Sequence, residues 1–196
     1  MKKLTILFSL ILMVSGILIG CEKNEVRSLE TTEMLNETKQ NFPQAPTWIL
    51  EDVTGEEHNF PVSAQGKTTI VLFWATWCPY CKSFMPHLQS VLYEYGESLD
   101  LQVFALSVFD DGNPQEYVVE NGYEFVLFEN AGEVAKLHEV RGTPGLLVID
   151  KEGRIRFDLR DVPSDHLKAS GNKHWQKARK KAPYWAAELR KSLAAL

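Results

Sequence analysis

The run TTIVLFWATWCPYC, residues 68–81, constrains the fold of this chain more than any other stretch. Residues 68–75 are β-branched at their start and continuously apolar, the pattern of a central strand covered on both faces. Cys78 then falls at a turn. Pro79 suits the first helical position, where its fixed φ is already helical and its missing N–H would have had no partner. The expected helix covers residues 79–95, kinked by Pro86 and ended by Gly96. Cys78 and Cys81 are thereby placed where a buried strand hands over to a helix.

The flanking sequence continues an alternating α/β pattern. Trp48, Leu50 and Val53, a Thr-Gly turn and then Phe60 predict a small hairpin. LQVFALSV, residues 101–108, reads as a second buried strand, followed by a polar DDGNP turn and a helix over 114–121. A short strand over 124–128 and a helix over 132–138 come next. LLVID and RIRFDL then flank Lys151-Glu152-Gly153, a hairpin signal with glycine where positive φ is easiest. Farther on, Trp185, Leu189, Leu193 and Leu196 fall on one helical face, with Pro183 near the start of the helix. That helix is expected to close the fold on the sheet. A chain of 196 residues, 44% hydrophobic and without internal repeats, can bury one good core.

Two cysteines separated by two residues can clip a metal, staple a loop or react. A structural zinc needs about four ligands, and His58, His87, His138, His166 and His174 are scattered without ligand spacing. No metal is therefore expected. Closing so short a loop removes little unfolded-state entropy, so a staple is a weak reading. Reaction has favourable physics. Unpaired N–H groups and the positive end of the helix dipole would face the Cys78 sulfur and favour its thiolate. That thiolate can attack a partner's disulfide, and Cys81 is close enough to resolve the mixed disulfide. Cys78 is the expected nucleophile and Cys81 the resolver.

The N-terminus is read separately from the fold. Lys2 and Lys3 precede an apolar run over residues 4–19, as in a secretory signal. Leu18-Ile19-Gly20-Cys21 resembles the lipobox of bacterial lipoproteins, which makes residues 1–20 a signal peptide and Cys21 a lipid attachment site. An uncleaved transmembrane helix is the competing reading, although the run is short for a span. Either one places the body outside the cytoplasm, in the cell envelope, facing the periplasm or the extracellular side. With Cys21 modified, the three cysteines reduce to one pair. Loss of Lys2 and Lys3 takes the net charge from -5 to -7, against a wholly basic nucleic-acid binder. The polar stretch 21–44 reads as a lipid-anchored tether.

FWATWCPYC, the upstream pattern Ala45-Pro46, Leu50, Asp52 and Gly55, and the downstream Val140-Arg141-Gly142-Thr143-Pro144 followed by LLVIDKEGRI together resemble the TlpA/ResA-type thioredoxins. These are membrane-tethered extracytoplasmic thiol-disulfide oxidoreductases. The resemblance covers residues 45–160 and implies an α/β thioredoxin fold, a central mixed β-sheet flanked by helices. Here it would carry an N-terminal hairpin and a C-terminal helical extension over 161–196. It also implies an insertion over 111–128 and a cis peptide before Pro144, with the Thr143 backbone pairing with a substrate chain. No cofactor is implied. The implied partners are exported proteins bearing thiols or disulfides, such as apocytochromes c, and a membrane-embedded thiol electron carrier.

Two departures stand out. Where many relatives carry an acid three residues after the second cysteine, this chain has Phe84; where classical thioredoxins bury an acid on the strand, it has Leu72. Glu94, Glu133 or a water is left as the proton acceptor for Cys81, and the direction of electron flow stays open. Pro79-Tyr80 is the dipeptide of glutaredoxins, which argues against an extreme oxidant. The peroxiredoxin pattern wants a proline and a Thr or Ser where Val71 and Ala75 stand.

Trp77 and Tyr80 are read as exposed surface that contacts partners, Trp74 as core or surface alike, and His87 as an ordinary helix residue. The segment 166–181 carries six Lys and Arg around Trp175 and no acid. It suits anionic lipid head groups, an acidic partner or a solvated helix face. The leading functional expectation is reduction of disulfides in exported proteins. Disulfide formation or isomerisation is the alternative within the class, and a non-catalytic partner-binding lipoprotein is the alternative outside it.

Overall fold

The computed structural model describes residues 42–163 and 174–196, with side chains of the second segment from Lys177 onward. The signal segment, Cys21, nearly all of the tether and residues 164–173, which take in the start of the basic segment, lie outside the described residues. Among the described residues no helix is long and apolar enough to cross a membrane.

Strand β3 (Thr68–Trp74) is buried along its whole length, as its unbroken apolar sequence requires. It pairs in parallel with β4 (Leu101–Ser107) and antiparallel with β6 (Gly145–Ile149). The sheet is completed by β5 (Val126–Phe128) beside β4 and β7 (Ile155–Asp158) beside β6, giving the order β5-β4-β3-β6-β7. Successive side chains of β3 alternate between two cores. Ile70, Leu72 and Trp74 enter one, Val71 and Phe73 the other.

The first core is covered by helices α1 (Pro79–Leu99) and, after α2 (Pro114–Glu120) and α3 (Gly132–Leu137), α4 (His174–Leu193). Helix α1 contributes Phe84, Met85, Leu88 and Val91; α4 contributes Trp185, Leu189 and Leu193. The segment expected as an insertion folds as α2 and β5, and the expected β6–β7 hairpin forms with Gly153 at φ 81.

The helices depart from expectation at their ends. Gly96 does not stop α1, which continues to Leu99 and ends at Asp100, in the left-handed region at φ 53 with its N–H on the Gly96 carbonyl. Pro183 is not near the start of α4 but inside it, and Leu196 lies past its end, 41% exposed. Both internal prolines, Pro86 and Pro183, sit on exposed stripes. There the carbonyl deprived of its helical partner can turn to water.

The second core is roofed by the predicted hairpin, β1 (Trp48–Glu51) with β2 (Glu57–Phe60). Trp48 stacks on Phe60 at 4.7 Å and meets Phe128 edge-on at 5.7 Å. The turn is tied by Asp52, whose Oδ1 accepts from the Thr54 and Glu56 N–H groups while Oδ2 lies 3.0 Å from His58 Nε2. Burial alone would raise the Asp52 pKa; the hydrogen bond from the Thr54 hydroxyl at 2.6 Å, then His58 and the two backbone donors, outweigh it and bring it down to about 2.

His138 carries a pH signature. Its Nε2 accepts from Trp48 Nε1 at 3.2 Å, in a site only 4% exposed. Burial first, and then the Arg160 charge, pull its pKa from 6.5 to about 4. The unfolded chain binds a proton that the folded ring refuses. This contribution is therefore complete above about pH 6.5 and is lost as pH falls toward 4. The unfolding free energy from urea titrations should drop by about 2–3 kcal/mol between pH 7 and 4. His138→Gln keeps an acceptor for Trp48 but cannot titrate, so it should flatten that part of the slope. Asp52, with its depressed pKa, adds an acid loss only below about pH 4.

Candidate active site

The chain leaves β3 through Ala75 and turns sharply, with the Cys78 N–H bonded to the Ala75 carbonyl at 3.1 Å. Cys78 is the N-cap of α1 and Pro79 its first helical residue. The Cys81 N–H points at Cys78 Sγ, 3.2 Å away. That donor is one of the orphan N–H groups of the helix start, and sulfur takes the place that serine or aspartate usually fills. The same donor and the helix dipole stabilise negative charge on Cys78 Sγ. Cys78 and Cys81 form a disulfide, with their Cα atoms 5.3 Å apart. Cys78 is 2% exposed and Cys81 fully buried, so the outer sulfur is the one a partner can reach.

Register brings the second expected loop to the same place. Gly145 pairs with Phe73, so the peptide preceding Gly145 stands at the end of the sheet where the Trp74-to-Cys78 turn begins. The Thr143-Pro144 bond is cis, and both residues are half-buried. A Cβ on Gly145 would meet Val140 Cγ1 at 2.8 Å, so glycine lets this loop pack under β6.

A carboxylate clamp, missed in the sequence, holds the cysteine turn. Asp110 accepts from the Thr76 N–H and Oγ1, each at 2.5 Å, from Ser107 Oγ and from the Gly112 N–H. Burial would raise the Asp110 pKa, but these donors win and lower it. A Cβ on Gly112 would collide with Thr76 Oγ1. An acid shortly after a buried strand, followed by Asp-Gly-Asn-Pro, was the available signal, and it reads only as a polar turn until the partner Thr76 is known.

The aromatic residues divide. Trp74 is fully buried core, which settles its open reading. Trp77 is 57% exposed, as expected, and its Nε1 donates to the Phe109 carbonyl at 3.0 Å. Tyr80 corrects the expectation of an exposed residue: it is half-buried, its ring 6.1 Å from Trp185 and 5.9 Å from Lys181 Nζ. His87 is half-buried on α1, its pKa lowered by burial and then by Arg190.

Phe84 and Leu72, at the two positions where the resemblance led one to look for an acid, are both fully buried. Glu94 is no substitute. It lies 13 residues beyond Cys81, about 20 Å along the helix, and pairs with Arg190 at 2.6 Å. Glu133 is engaged by Lys136 at 2.6 Å in an exposed pair. Among the described residues, the donors close enough together to hold a metal are Asp52, Glu56 and His58, within 4.8 Å of one another on the hairpin. There Asp52 already serves as acceptor for the turn.

A mixed five-stranded sheet with a helix-capping CxxC disulfide and a cis-proline at one sheet end defines a thioredoxin-fold protein. Residues 43–158 match the AhpC/TSA family, more than half of the chain, and the protein belongs to that family. It is similar to the thiol-disulfide oxidoreductase ResA of Geobacillus thermodenitrificans, 27% identical over 57% of this chain and 64% of that protein. This chain therefore matches less than two thirds of that relative. ResA of Bacillus thuringiensis is 26% identical over 60% of this chain and 68% of its own length. The fold is shared with a thiol:disulfide interchange protein from Chlorobium tepidum, with a TM-score of 0.54 and 20% identity, over 74% of this chain and 97% of that one.

Proposed function

We propose that this chain is a thiol-disulfide oxidoreductase of the cell envelope, lipid-anchored through Cys21, that reduces disulfides in exported proteins such as apocytochromes c. The observation that carries the reading is the position of Cys78, an N-cap sulfur facing a helical N–H donor with its partner Cys81 one turn deeper. In the reduced protein the Cys78 thiolate attacks a substrate disulfide and expels one substrate thiolate. Cys81, deprotonated, then attacks Cys78 Sγ, expels the second and closes the Cys78–Cys81 bond. Two electrons and two protons pass to the substrate, and a membrane-embedded thiol carrier restores the dithiol. Backbone groups beside the cis peptide at Thr143-Pro144 align the incoming chain.

The direction of flow is tested by the reduction potential. Equilibration with dithiothreitol or glutathione buffers, read by thiol trapping, should give a value near or below about -270 mV. A value between about -120 and -180 mV would overturn the reductant reading in favour of disulfide formation or isomerisation.

A further inference from the structure

Beside the cysteine turn lies a cleft of about 800 Å³ whose walls include Trp77, Phe109, Asp110, Asp111, Pro114 and Glu129. Disulfide chemistry alone does not explain its composition. Trp77 and Phe109 stand 57% and 66% exposed at its rim, linked by the Trp77 indole hydrogen bond. Asp110 is consumed by the clamp on Thr76. The side chains of Asp111 and Glu129 make no hydrogen bond or ion pair among the described residues, and no Lys or Arg is among the described residues lining the cleft.

Aromatic walls with carboxylates beyond them match one kind of side chain, an apolar stem ending in a cation. Trp77 immediately precedes Cys78, so a polypeptide lying on this ring is within a residue or two of the sulfur. We propose that the cleft docks the segment flanking the reacting cysteine of a substrate polypeptide and selects flanks bearing lysine or arginine. The proposal rests on the oxidoreductase reading and adds the chemistry of the substrate to it. The stem of the cationic residue lies across Trp77 and Phe109, and its head faces Asp111 and Glu129. Attraction at an exposed site acts mainly on encounter and is screened by salt.

The test uses the full chain in nonionic detergent, reduced with dithiothreitol and freed of it. Two synthetic peptides are offered, each closed by one internal disulfide and differing only in lysine or glutamate flanks. Peptide reduction and closure of Cys78–Cys81 are followed by thiol trapping. At low salt the lysine peptide should react about tenfold faster, and most of that preference should vanish at high salt. The double variant Asp111→Asn, Glu129→Gln should cut the preference to about threefold or less, while Glu97→Gln, exposed near the far end of α1 and about 24 Å along the helix from Cys81, leaves it unchanged. Equal rates for the two peptides, or a preference that the double variant retains, would overturn the inference alone. Absence of exchange with either peptide would overturn the oxidoreductase reading and the inference together.

Discussion

Cys81→Ser is expected to trap a mixed disulfide through Cys78, and Cys78→Ser to form none and to lose exchange down to the uncatalysed rate. The asymmetry follows from burial and capping. Only Cys78 has any exposed surface, and the donor that stabilises its thiolate is the backbone N–H of residue 81. Replacing the Cys81 side chain leaves that donor in place, so the nucleophile keeps its activation and loses only the group that would release the adduct. Replacing Cys78 leaves a sulfur with no exposed surface at position 81. Incubation with an oxidised peptide followed by non-reducing electrophoresis and mass determination separates the two variants. The reverse pattern, with adducts in Cys78→Ser, would reject the assignment of roles. Undiminished function in the double serine variant would instead favour a binding module in which the cysteines are incidental.

The part of this site written in short-range sequence was legible before any coordinates. An unbroken apolar strand, a cysteine, a proline and a second cysteine specify a strand-to-helix junction, because each residue answers a local demand of the backbone. The hairpins were legible for the same reason, through Thr54-Gly55 and Gly153 between apolar runs. What resisted reading depends on partners far apart in sequence. The Thr76–Asp110 clamp spans 34 positions, and Trp48 finds His138 across 90. Nothing local in either pair announces the other. The ending of α1 shows a second limit. Gly96 carries a stronger stop signal than Asp100, yet the helix continues for another turn. Packing on the sheet outweighs an intrinsic preference of about 1 kcal/mol.

The closing helix was half legible, and the missed half has the larger consequence. The spacing of Trp185, Leu189 and Leu193 marks an apolar face, but Ala178, Ala182 and Ala186 complete it, each at most 1% exposed. Alanines four residues apart are easily passed over as helix filler, although their small size lets α4 approach α1 closely enough for one large side chain to bridge to it. That side chain is Trp185. Its ring meets Phe84 edge-on at 5.8 Å and Tyr80 at 6.1 Å, and Lys181 Nζ lies 5.6 Å from it. Tyr80, one of the two residues between the cysteines, is thus held from outside α1. Trp185→Ala should remove this bridge and leave a cavity at the helix interface, costing about 3–5 kcal/mol. For a body of this size the melting temperature should fall by roughly 6–20 °C. Trp185→Phe, which retains most of the volume and the contact with Phe84, should recover the larger part. Urea and thermal denaturation of the three proteins decide the matter. A loss below about 1 kcal/mol for the alanine variant would mean that the interface collapses to fill the gap and that α4 does not support the cysteine helix.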